Sequence, residues 1–183
     1  MDEAGRGPLA GPVVASAVIV RDFSFSSRVD DSKKMSAAAR NETYEEILEK
    51  CSIGIGIVEP EKIDSLNIFQ ATMQAMRDAV GKLKEKPDCI LIDGPHAPTE
   101  LSGRQFPIVD GDALSFSIAC ASVVAKVTRD RMMDYYDELF PHYGFRKHKG
   151  YGTKEHIEAL RKNGPCEIHR KSFEPVRSLW KPY

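Results

Sequence analysis

Four acids occupy positions at which carboxylates do chemistry. Asp2 and Glu3 adjoin the run Ala4-Gly5-Arg6-Gly7-Pro8-Leu9-Ala10-Gly11-Pro12, Asp93 ends the apolar run Cys89-Ile90-Leu91-Ile92, and Asp112 follows Gly111. Carboxylates crowded at adjoining strand ends repel one another unless divalent cations neutralise them, and all-oxygen ligand sets suit Mg2+ or Mn2+. Two such ions about 3.5–4 Å apart activate a water, stabilise a leaving oxygen and clamp the phosphate between them. The turn Gly5-Arg6-Gly7 lets backbone amides come close to a polyanion or a sugar. A solvated acidic turn accounts for Asp2 and Glu3, but not for the glycines and prolines around one arginine. For Asp112 an ordinary helix cap is the plain alternative. Neighbouring side chains on a regular strand point to opposite faces, so Asp2 and Glu3 share a site only where the strand ends or bulges.

The acids need a sheet to bring them together. Val13–Val20 is continuous and β-branched, the pattern of a buried strand, and the segment ending at Asp2-Glu3 should pair with it. Asp2 follows Met1 directly, and a frayed, charged terminus is expected to loosen that first acid. Ser36 is a candidate N-cap for a helix through Lys50, and residues 52–58, with Ile53, Ile55 and Ile57 alternating against Gly54 and Gly56, predict a half-buried strand. A helix over 61–84, broken near Leu66-Asn67, follows with Ile68, Met73, Met76 and Val80 as its core stripe. Cys89–Asp93 and 106–109 predict short strands, 112–139 a long helix, and Thr153–Asn163 a capped helix closed by Gly164-Pro165. That order implies an α/β domain with a mixed sheet.

A chain of 183 residues with 42% hydrophobic and 29% charged residues suits one soluble globular domain with a small appendage. Its longest apolar run is too short to span a bilayer, and its acidic start is unlike a signal peptide. Cys51, Cys89, Cys120 and Cys166 lack the close spacing of a zinc or redox motif and read as reduced thiols in a cytoplasmic protein. The net charge of −1 is unevenly spread: residues 141–183 carry 10 Lys/Arg against 4 Asp/Glu, together with His142, His148, His156 and His169. A basic face beside an acidic centre suits an enzyme acting on a polyanion, although a solvated lysine-rich helix gives the same count.

These residues stand in motifs whose order resembles the type 2 ribonucleases H, the ribonuclease HII family. The carriers are Asp2 to Pro12, Asp31-Ser32-Lys33-Lys34, Leu91-Ile92-Asp93-Gly94, Gly111-Asp112, Ala121 to Asp130 and His148-Lys149-Gly150-Tyr151, spread along nearly the whole chain. The resemblance implies a ribonuclease H-like mixed five-stranded sheet flanked by helices. It also implies a catalytic domain over 1–140 and a basic helical extension over 141–183. The implied activity is cleavage of RNA in RNA–DNA hybrids and at single ribonucleotides in duplex DNA, by in-line attack of water, leaving 5′-phosphate and 3′-hydroxyl ends. Asp2, Glu3, Asp93 and Asp112 become the catalytic, metal-binding set, served by two Mn2+ or Mg2+ ions. Gly5, Arg6 and Gly7 would read the ribose 2′-hydroxyl through the backbone, Tyr151 would contact the same hydroxyl and stack on the next deoxyribose, and Lys33, Lys34 and Lys149 would meet phosphates.

The implied partner is thus an RNA–DNA hybrid or ribonucleotide-bearing duplex, with no membrane and a monomeric protein. Asp110 stands where the family commonly has lysine, and is expected to raise neighbouring carboxylate pKa values or weaken phosphate binding. His148 and His169 are expected at the surface without a role, and Lys126, Arg129 and Asp130 in local pairs. Two rivals remain on sequence grounds: a nuclease of the same fold acting on plain DNA, and a binding module with an impaired site.

Overall fold

Strand β2 (Val13–Val20) is buried along its first five residues and takes a neighbour on each side. Both faces are covered: Val13, Ala15 and Ala17 join one apolar cluster, and Val18 and Val20 another. That double burial explains why the strand reads as a continuous apolar run without alternation. On one side β1 (Asp2–Ala4) pairs antiparallel, Asp2 opposite Ser16 and Glu3 opposite Ala15, in unbroken register. On the other, β3 (Cys51–Val58) pairs antiparallel over the full length, from Val13↔Val58 to Val20↔Cys51. The computed structural model describes residues 1–27, 29, 30, 32 and 34–180; Asp31 and Lys33 of the expected motif lie outside the described residues.

A second ladder, β4 (Cys89–Asp93) parallel to β5 (Arg104–Ile108), carries Asp93 at its end. Met1 joins the two ladders. Its main-chain nitrogen donates to the Leu91 carbonyl at 2.6 Å, and the Asp93 amide donates to the Met1 carbonyl at 3.0 Å. This is the parallel pattern, with Met1 beside Ile92. The strand order is therefore β3-β2-β1-β4-β5, the expected mixed five-stranded sheet, with Asp2 and Asp93 on adjacent strands. The expected fraying does not occur: Met1 is 5% exposed and packs in the core.

Helices cover both faces. One face holds α1 (Ala37–Lys50), capped by the Ser36 hydroxyl, and α5 (Phe116–Leu139), which packs on β1 and β2. The other holds α3 (Ile68–Gly81), separated from α2 (Pro60–Leu66) at Asn67, whose side chain caps α3. Here the predicted alternation of β3 inverts. Gly54 and Gly56 are buried, with Ser52 and Val58, and a Cβ at Gly56 would lie 1.9 Å from the Ala75 carbonyl oxygen, one at Gly54 2.0 Å from that of Ala79. The glycines let the α3 backbone rest on the strand, while Ile53 and Ile55 face the α1–α5 cluster.

The long helix predicted over 112–139 is two pieces, α4 (Gly111–Leu114) and α5, because Ser115 is extended between them. The C-terminal part supplies α6 (Phe145–His148), α7 (Lys154–Asn163), capped by Thr153, and α8 (Val176–Leu179). It is laced to the β1–β2 loop: Leu9 donates to the Gly150 carbonyl, Gly11 to that of Ile168, and Arg170 to that of Leu9, at 2.8–2.9 Å.

Candidate active site

Asp2 is 4% exposed, which excludes a solvated acidic turn. Its Oδ1 accepts the Glu3 amide at 2.6 Å, and the Ser122 hydroxyl of α5 reaches the carboxylate as well. Ser122 Oγ in turn lies 2.8 Å from Ser32 Oγ, so both serines belong to the site. Burial, then the charges of Glu3 and Asp93, push the Asp2 pKa up from the ordinary 3.8 to about 7. Asp93 Oδ1 accepts the Asp112 amide at 3.2 Å. Gly111 makes that approach possible, since a Cβ there would lie 3.2 Å from the same oxygen and 2.7 Å from Ile118 Cδ1. Asp110, in the left-handed conformation at φ 54°, is not among the charges acting on Asp2.

The sheet thus brings the charges of Glu3 and Asp93 to bear on Asp2, with the Asp112 amide against Asp93, without closing a cage: among the described residues no three His, Cys, Asp or Glu side chains stand ready to hold an ion. Carboxylates that repel one another have no reason to converge before a cation does. The donor set nevertheless fits a hard divalent ion, because Asp2 is a buried acid hydrogen-bonded by a hydroxyl and an amide, its pKa raised by burial and two acids, while that of the nearby Met1 amine is itself lowered to about 6 by burial. Glu3 opens into a cleft of about 230 Å³ lined also by Arg6, Gly7, Ser122, Lys126 and Tyr151. A larger hollow of about 340 Å³, walled by Val18, Phe23, Leu83 and Pro87, holds none of the four acids.

The β1–β2 loop forms one wall of the cleft, and two buried arginines hold it. Arg129 donates to the carbonyls of Pro12, Lys149 and Ala10 at 2.9–3.0 Å. Arg170 donates to those of Gly11, Arg6 and Gly5 at 2.5–3.0 Å. Burial lowers both guanidinium pKa values, to about 10 and about 9, which leaves both charged at neutral pH. The two loop glycines have different tasks. A Cβ on Gly5 (φ +95°) would lie 2.1 Å from Arg129 Nε, so Gly5 makes room for the arginine. Gly7 faces Tyr151, whose Cε1 would stand 3.7 Å from a Cβ there. Arg6, half exposed, donates to Glu3 Oε1 at 3.3 Å.

Tyr151 is 46% exposed over this wall, and histidines anchor its backbone. The expectation of surface histidines is overturned: His148, His156 and His169 are 7%, 0% and 0% exposed. His156 Nδ1 must donate to the Tyr151 carbonyl at 2.9 Å, so its Nε2 accepts from His169 Nε2 at 3.0 Å. His169 Nδ1 then accepts the Cys166 amide at 3.0 Å. His148 Nε2 donates to the Tyr143 carbonyl and its Nδ1 accepts from Gly150. His156 and His169, lowered by burial, are therefore neutral, each with one fixed tautomer.

The lysines are less gathered. Lys149 turns its ammonium to Asp134 and to the Asp130 carbonyl, away from the cleft, while its own carbonyl is one of those Arg129 grips. Lys34 is exposed and Lys33 lies outside the described residues. Lys126, expected only in a local pair, does bond Asp130 at 2.5 Å and also borders the cleft.

The sequence profile described as Ribonuclease HII matches residues 1–176. The chain belongs to the ribonuclease HII family. A ribonuclease HII of Lactobacillus acidophilus is 51% identical over 183 residues, covering 99% of this chain and 72% of the relative. Among solved structures, the ribonuclease H2 of Pyrococcus horikoshii OT3 superposes with a TM-score of 0.79 at 25% identity, over 97% of this chain and 94% of that one. Bst-RNase HIII, solved in complex with Mn2+, shares the fold at a TM-score of 0.67 and 14% identity, over 97% of this chain and 67% of that one. Within this ribonuclease HII chain, sequence reasoning missed Ser32, Ser122, Arg129, Arg170 and His156. One signal was available: a loop rich in glycine and proline exposes carbonyls that need donors, and buried arginines are the side chains able to serve several at once.

Proposed function

We propose that this chain hydrolyses the RNA strand of RNA–DNA hybrids and incises duplex DNA at single ribonucleotides, leaving 5′-phosphate and 3′-hydroxyl ends. The observation that carries the reading is one cleft in which Glu3, whose charge acts on Asp2 as that of Asp93 does, shares the lining with Gly7 and Tyr151. An acidic centre alone suits any metal nuclease, whereas a backbone wall with a tyrosine over it suits a ribose. Asp2, Glu3, Asp93 and Asp112 would hold divalent cations, Mn2+ or Mg2+. When bound, a pair of these ions lowers the pKa of an attacking water and offsets charge on the leaving oxygen.

The remaining roles fall to the chain itself. Burial first, then Glu3 and Asp93, keep Asp2 hard to ionise until positive charge arrives. Arg6, now paired with Glu3, is free to turn to a phosphate when Glu3 takes a metal. Gly5, Arg6 and Gly7 offer backbone amides to the 2′-hydroxyl, and Tyr151 packs against the neighbouring sugar. Residues 1–140 form the catalytic body, and the basic extension 141–183 supplies Tyr151 and Arg170, the half of the clamp that complements Arg129. The four free cysteines accord with a reducing, cytoplasmic setting, and the protein acts as a monomer on its duplex. No helix among the described residues is long and apolar enough to cross a membrane.

The test uses a labelled duplex carrying one ribonucleotide, its all-DNA twin and an RNA–DNA hybrid, with Mn2+ or Mg2+. Cleavage of the first and third but not the second is expected, abolished by Asp93→Asn with the fold retained. Equal cutting of the all-DNA twin would establish a DNA nuclease instead, and binding without turnover an impaired module.

A further inference from the structure

Arg129 and Arg170 stand out because their seven hydrogen bonds all end on carbonyl oxygens, six different ones, and five of these belong to the β1–β2 loop. The two guanidiniums are 1% and 0% exposed. A stability role alone would be met by packing, and a buried ion needs good partners to be tolerated at all. The arrangement has a directional effect. In a trans peptide the carbonyl and the following N–H point opposite ways. Arg170 holds the Gly5 and Arg6 carbonyls at 2.5 and 2.9 Å, so the N–H groups of Arg6 and Gly7 turn away from Arg170, and both residues line the cleft. Arg129 holds the Lys149 carbonyl together with those of Ala10 and Pro12, fixing the turn that carries Tyr151 against the same loop.

We infer that Arg170 and Arg129 are positioning residues for ribose recognition: they set two amides and one tyrosine in place before substrate arrives. The inference rests on the function proposed above, because it assumes that these amides read the 2′-hydroxyl. Preorganised donors need no rearrangement on binding, so their loss should weaken ribose discrimination more than general duplex affinity. Lysine in place of either arginine keeps the charge and loses the fork that spans several carbonyls.

In an Asp93→Asn background, which holds substrate uncleaved, dissociation constants are measured for a duplex with one ribonucleotide and for its all-DNA twin. Arg170→Lys and, separately, Arg129→Lys should reduce the ratio of the two affinities about tenfold, with all-DNA binding unchanged. Mn2+ titration of the same substitutions on the unaltered acidic set should give the parent heat. A merely structural role would weaken both duplexes together, and that result, or an unchanged ratio, overturns the inference. Gly7→Ala separates the two levels, since its methyl would stand 3.7 Å from Tyr151 Cε1, on the side where the ribose is to be read, and touches neither arginine. If Gly7→Ala leaves the ratio intact, the amide reading itself fails; if it lowers the ratio while both arginine substitutions do not, only the inference fails. Should the lysine variants not fold, 15N relaxation on the unmodified protein decides. Order parameters near about 0.85 at Arg6 and Gly7 support preset amides, and values below about 0.6 overturn them.

Discussion

Replacing Asp2 by Asn should stabilise the metal-free protein at alkaline pH while abolishing its use of metal. The folded-state pKa of Asp2 is raised, first by burial and then by Glu3 and Asp93, from 3.8 to about 7. A raised folded-state pKa means that stability is fully present below the unfolded value and is lost as pH rises through the folded one. Three pH units correspond to an upper bound of about 4 kcal/mol. The carboxamide is nearly isosteric, still accepts from the Glu3 amide and still meets Ser122, but it never ionises. The stability difference between Asp2→Asn and the parent should therefore be small near pH 4 and grow to about 2–4 kcal/mol by pH 8. Urea unfolding in a chelating buffer at pH 4.5, 6 and 8 measures it, and the subtraction cancels the titrating groups that do not act on Asp2, leaving Met1, Glu3 and Asp93 as the coupled ones. Added Mn2+ should stabilise the parent at pH 8 and leave Asp2→Asn unmoved. A difference that stays flat across the pH range would refute the account of Asp2 as a buried acid waiting for a cation.

On the acid side the sign reverses, and the histidines govern it. Burial first of all lowers His156 to about 4 and His169 to about 3. Stability present above pH 6.5 should fall as the unfolded chain takes up protons that the folded rings refuse, by about 3 kcal/mol per ring at most on reaching pH 4. Asp2→Asn is the background in which to see it, since Asp2 no longer opposes the trend; a level profile there would count against the neutral ring network. In the sheet, Gly56→Ala should cost about 1–3 kcal/mol in urea unfolding, because its methyl would stand 1.9 Å from the Ala75 carbonyl oxygen. Unaltered stability would mean that α3 can ride up without loss.

The elements were legible where local chemistry sets them. Ser36, Asn67 and Thr153 cap their helices with side chains as their types foretell. The sheet edge was less so: the Gly54–Gly56 face reads as the open one because glycine adds nothing to a hydrophobic count, yet it is where a helix comes closest. The four acids could be named from position and resemblance. What could not be seen is support arriving from far along the chain. Arg170 reaches Gly5 across 165 positions and Arg129 reaches Pro12 across 117, and no local period encodes such bonds. Lys149 shows the converse, a residue in the expected motif whose ammonium goes to Asp134.

The partners of Arg129 and Arg170 have a bearing on how a strand would lie. Carbonyl dipoles satisfy the donors of these two cations without cancelling their charge, so a fixed positive region underlies the β1–β2 loop that follows the acids of β1. A phosphate chain entering the cleft therefore meets repulsion from Glu3 until counter-ions load, and the fixed charge behind the loop is what offsets it before any base or sugar is inspected.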